Sequence, residues 1–127
     1  MPMPFDWVVG TDLMVAIRWG INEAYATANG EVQWRVNWSA VPNDGSEAID
    51  SPTHSGQVDS GDINIPATAK TIQQTEITIP GTNIIANDEF GIKLSRIALV
   101  GGVNPTADPG IICVGVVYTA DKLGAAT

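Results

Sequence analysis

The chain has 127 residues, 44% of them apolar and 16% charged, with six Lys and Arg against fourteen Asp and Glu for a net charge of −8. That length makes one domain of ordinary size, able to bury roughly two thirds of the surface its unfolded chain exposes. Six scattered basic side chains cannot form the stripe that neutralises nucleic-acid phosphates, and an acidic chain is repelled by anionic lipid, so neither nucleic acid nor membrane is expected as a partner.

No apolar run approaches the roughly 20 residues that cross a bilayer. The opening Met1-Pro2-Met3-Pro4 has no basic segment followed by an apolar core, so no secretory signal is expected. Such a chain stays in the cytoplasm where it is made, or leaves as part of a larger assembly. The single Cys113 excludes an internal disulfide and a multi-cysteine zinc site; set between Ile112 and Val114, it reads as a small buried hydrophobe.

Residues 1–10 read as an N-terminal arm, which Pro2 and Pro4 stiffen and keep from helix. Residues 11–120 form the domain. Leu13, Val15, Ile17 and Trp19 alternate with Met14, Ala16 and Arg18, the period of a strand. Residues 21–28 are a loop or one short helix, closed by Asn29-Gly30.

The clearest strand follows, with Val32, Trp34, Val36, Trp38 and Ala40 on one face and Glu31, Gln33, Arg35, Asn37 and Ser39 on the other. Residues 42–56 are polar and rich in turn formers, hence an exposed excursion. A weaker strand spans 57–65, with Ile63 and Ile65 inward. Another spans 71–79, where Ile72 is out of phase with Thr75, Ile77 and Ile79 and suggests a bulge. Phe90, Ile92 and Leu94 alternate, and Ile97 and Leu99 change parity, which calls for a bulge or bend near Ser95. After a Gly- and Pro-rich loop, residues 111–119 are apolar at nearly every position. Such a strand is either central and covered, or presents one face to another subunit. Residues 121–127 read as a C-terminal tail.

Six to eight strands with no βαβ crossover point to an all-β fold, an antiparallel two-sheet sandwich of jelly-roll or related Greek-key type. No residue set suggests catalysis, a cofactor or a metal. The acids Asp44, Glu47, Asp50, Asp59, Asp62, Asp88, Glu89 and Asp108 fall in turns, where carboxylates cap backbone N–H groups. His54 is the only histidine and lies in a polar loop without a nucleophile elbow. Asp59-Ser60-Gly61-Asp62 is acidic but is not a calcium-loop pattern. Trp19, Trp34 and Trp38 share the parity of core neighbours, which leaves Trp7 as the one tryptophan free to be exposed.

Three segments carry a resemblance: Gly30-Glu31-Val32-Gln33-Trp34-Arg35-Val36-Asn37-Trp38 with the Ser/Asp/Gly-rich loop after it, Asp88-Glu89-Phe90-Gly91-Ile92-Lys93-Leu94-Ser95-Arg96, and Val114-Gly115-Val116-Val117-Tyr118-Thr119. Together they resemble the small jelly-roll structural proteins of tailed bacteriophages. The resemblance implies a non-enzymatic virion protein, foremost a capsid decoration or cement protein, assembled in the host cytoplasm. Its partners would be the major capsid protein or other virion subunits, and it would act as a homo-oligomer, trimer or dimer. A tail, baseplate or fibre component and a carbohydrate-binding sandwich are the alternatives. The candidate partner contacts are Pro2, Pro4, Phe5 and Trp7 on the arm and Ile111, Cys113 and Val117 on the last strand.

Overall fold

The computed structural model describes residues 1–26 and 30–121, and every regular element within them is a β-strand. In chain order the strands are β1 (Leu13–Gly20), β2 (Glu31–Val41), β3 (His54–Asp59), β4 (Ile63–Asn64), β5 (Gln73–Ile79), β6 (Glu89–Ile97) and β7 (Gly110–Tyr118). All pairings are antiparallel. One sheet has the order β5-β1-β7; in the other, β2 is central, with β3 and β4 following one another along one edge and β6 along the opposite edge. The chain is thus an all-β, two-sheet sandwich. The first strand pairs with the last and the second with the sixth, the nesting of a roll, while the β2–β3 hairpin and the β1–β5 pair complete the sheets.

Alternation builds the core. Leu13, Val15, Ile17 and Trp19 of β1 face Val32, Trp34, Val36, Trp38 and Ala40 of β2, joined by Ile77 and Ile79 of β5 and Phe90 of β6. Trp19 and Trp34 meet edge to face at 5.8 Å, and the buried Trp19 indole N–H finds the Thr75 hydroxyl at 3.0 Å. Trp38 stacks with Phe90 at 6.4 Å and lies across Gly56, where a Cβ would fall 2.7 Å from the indole nitrogen. The partner strand under Trp38 therefore has to carry a glycine at that position.

Several expectations change. The strand expected at 57–65 begins earlier, at His54 paired with Ala40, and breaks at residues 60–62 before β4. Its inward row is His54, Gly56 and Val58, too poor in apolar residues to show alternation in sequence. Ile72 precedes β5 and is 65% exposed, so no bulge is required there. β6 pairs with β2 in unbroken register from Val41↔Glu89 to Gln33↔Ile97. The parity change at Ile97 marks a switch in which face is covered: outward-pointing Gln33 is buried beneath the following segment and donates to the Ala98 carbonyl at 2.7 Å. The actual irregularity is in β7, where Arg18↔Cys113 is followed by Trp19↔Ile111 and Ile112 is the extra, bulged residue. Residues 21–26 contain no helix; residues 27–29 of the helix-or-loop segment, and 122–127 of the expected tail, lie outside the described residues.

The N-terminal residues, expected as an arm free to reach a neighbour, are stitched to the sandwich. The Met3 N–H donates to the Asp88 carbonyl at 2.8 Å, the Phe90 N–H to the Met1 carbonyl at 2.7 Å, and the Val8 N–H to the Thr119 carbonyl at 2.9 Å. Met3 is buried and Trp7 is 5% exposed, so Trp7 belongs to the core rather than to a recognition surface. With all four tryptophans buried, none forms the exposed ring platform that a sugar-binding sandwich presents.

Candidate interaction surface

β7 follows from its composition: β-branched residues at Ile111, Ile112, Val114, Val116 and Val117 favour extended backbone, and Asp108-Pro109-Gly110 starts it from a turn. It pairs with β1 alone. Val114, Val116 and Tyr118 point to the core side opposite Ile17, Val15 and Leu13, and Cys113, Gly115 and Val117 point outward beside Arg18, Ala16 and Met14. Neither face is closed. Ile111 and Val114 remain exposed at inward positions, Ile112 is 58% and Val117 51% exposed, and Cys113 is exposed rather than buried as its neighbours suggested. The strand is an edge, not the covered central strand that its doubly apolar sequence allowed.

The outer face around it divides sharply. Toward β5 it is polar, with the Arg18 guanidinium donating to Gln74 at 3.1 Å and Gln74 to Glu76 at 3.0 Å. Toward β7 it is largely apolar, with Ala16, Cys113, Gly115 and Val117 around a hollow of about 200 Å³ that Arg18 also lines. A Cβ built on Gly115 would meet nothing within 4 Å, so the space above it is open.

The other edge strands are protected differently. β3 carries Asp59, which accepts two hydrogen bonds from Arg35 at 2.7 and 3.0 Å. That pairing, chiefly its hydrogen bonds, holds the Asp59 carboxyl below its ordinary range. β5 carries Glu76, and β6 carries Glu89, Lys93 and Arg96. Met1 also hydrogen-bonds to Phe90 in both directions, and Pro2 bridges Glu89, so one end of the β6 edge is covered. Among β3, β5, β6 and β7, only β7 has no charged side chain, and no backbone hydrogen bond from another described segment reaches its free edge.

The 98–109 connection that delivers β7 is fixed by carboxylates. Asp62 accepts from the N–H groups of Val100, Gly101 and Gly102 at 2.8 to 3.0 Å, and these bonds, that of Gly101 foremost, hold its carboxyl below the usual range. Glu23 accepts from Thr106 and Ala107, and Arg96 donates to Asp108 at 3.1 Å. The acidic Asp59–Asp62 stretch is therefore engaged with an arginine and with backbone donors. No group of three or more His, Cys, Asp or Glu converges among the described residues.

Of the remaining candidates, Phe5 is 99% exposed at a turn closed by the Trp7 N–H on the Pro4 carbonyl, with exposed Val8 and Val9 nearby in sequence. His54 sits on β3 rather than in a polar loop. Asp88, grouped with the turn acids, caps the Ile85 N–H at 3.0 Å as that reading expects, but it is buried, and its other carboxylate oxygen has no hydrogen-bond partner among the described residues. Ile111, Cys113 and Val117 lie on β7, Pro2 lies at the β6 edge, and Trp7 is buried and bridges Ala120 just beyond the end of β7. Neither a protein-family model, nor a curated protein, nor a solved structure matches the chain.

Proposed function

We propose that this chain is a non-enzymatic structural subunit of a virus particle, a decoration or cement protein of a phage head, that works by docking through β7. The observation that carries the docking role is the strand itself: nine residues, apolar, uncharged, exposed on both faces and with one edge unpaired, in a chain of net charge −8. Exposed apolar surface of this kind marks an interaction face, and proteins that do not use such an edge normally guard it. The resemblance of the three strand segments to phage jelly-roll proteins supports the virion setting. In that setting its partners are the major capsid protein or other virion subunits, one of which sits on β7, and the acidic remainder of the surface keeps a densely coated particle soluble.

Mixing the purified chain with undecorated phage heads and imaging them tests the reading. Saturable density at symmetry-related positions on the head is the expected result. Density confined to tails, or no saturable binding to any particle, would remove the decoration role.

A further inference from the structure

We infer that β7 takes a second copy of this chain, pairing antiparallel with the partner's β7 about a two-fold axis at Val116. This rests on β7 being the docking element and names what docks there. The first reason is charge. Two copies of net charge −8 repel, and they approach most easily where neither carries charge, which among the edge strands of six residues or more is β7 alone. A basic partner would instead be drawn to the acidic remainder of the surface.

The second reason is register. The Ile112 bulge disrupts the strand's side-chain alternation, so a regular ladder is available only beyond it, through residues 113–118. A two-fold at Val116, the middle of residues 114–118, sets Val114 opposite Tyr118, Val116 opposite Val116, and Gly115 opposite Val117. Directly opposed residues share a face. On the outer face, each copy's protruding Val117 then meets the open space above its partner's Gly115, twice by symmetry. On the inner face, Val114, Val116 and Tyr118 continue the apolar row of β1 into the second copy. Two three-stranded sheets become one of six strands, with both free β7 edges paired.

Sedimentation of the full chain over a range of concentrations reads the mass, and a nitroxide on the only cysteine, Cys113, reads the geometry. The register sets Cys113 opposite the partner's Thr119, six residues from the partner's own Cys113, so the two labels should lie about 20–30 Å apart. Val117→Glu puts a like charge into each symmetric contact and should weaken association roughly tenfold or more. Thr78→Glu, on the outer face of β5, should leave it unchanged. A chain that stays monomeric, a higher oligomer that Val117→Glu does not weaken, or labels that show no coupling or lie far outside that distance would overturn the pairing. The label measurement uses the native sequence, so it decides even if Val117→Glu folds poorly. A monomer that still coats heads defeats the pairing and spares the virion reading; a β7-paired dimer that ignores heads does the reverse.

Discussion

β6 and β7 are both nine residues long, and each has a single strand neighbour within its sheet, yet their free edges are treated in opposite ways. β6 carries Glu89, Lys93 and Arg96, is partly covered by Met1 and Pro2, and buries Phe90 beneath Trp38. β7 carries no charge, meets the N-terminal segment at its last residue, where the Tyr118 hydroxyl donates to Asp6 at 2.9 Å, and leaves Ile112 and Val117 more than half exposed. Strand propensity favours β7, with six β-branched or aromatic residues against three in β6, yet β7 is the more exposed of the two. The difference lies in what each edge is guarded against, and it implies that β6 serves the stability of the single chain whereas β7 serves contact with another.

The largest expected effect follows from the β6 side. Phe90→Ala removes a fully buried ring stacked on Trp38 and should cost about 3–5 kcal/mol, a large part of a small domain's total stability, as read by urea unfolding. Deleting residues 1–4 removes buried Met3 and the hydrogen bonds to Asp88 and Phe90, for a loss of about 3 kcal/mol. It also strips the cover from β6, so the shortened chain should self-associate more strongly in sedimentation, because it would then have two open edges. Unchanged association would show that the N-terminal cover does not guard β6.

A smaller effect should come from the connection between the two strands. The folded-state pKa of Asp62 is depressed by its N–H donors, so its clamp contributes fully above the unfolded value of about 3.9 and is lost as pH falls through the lower folded value. Melting temperature measured from pH 5 downward should fall less steeply in Asp62→Asn than in the wild type. The smallest effect is on β7: Val117→Glu should leave the stability of the isolated chain within about 0.5 kcal/mol of wild type, because Val117 is half exposed and β7 has no second neighbour to lose.

Much of this contrast was legible in the sequence. The Val32 to Ala40 alternation named the inward face of β2, and the doubly apolar 111–119 stretch marked a strand that needed a covering surface. Alternation reports which side of a strand is apolar but not how many neighbours the strand has, so the edge position of β7 and the exposure of Cys113 could not be read from it. The burial of Trp7 is hidden for a related reason: prolines at positions 2 and 4 forbid helix but do not prevent an extended segment from being tied down by Asp88, Phe90 and Thr119. Breaks in parity point to a bulge at Ile72 and a bulge or bend near Ser95, yet the register shift lies in β7, where apolar residues at nearly every position hide any break. Asp62 and Asp88 cap backbone N–H groups as turn acids are expected to, but the donors to Asp62 lie in the distant 100–102 segment, which its local sequence does not indicate.

Amide hydrogen exchange of the full chain, resolved by residue at low and at high protein concentration, tests most directly whether β7 is the strand held open for contact. Amides within residues 113–118 should gain protection as concentration rises, while those of β6 at residues 92–96 keep theirs unchanged. Protection that rises along β6 instead, or that does not change in either strand, would contradict the assignment of contact to β7.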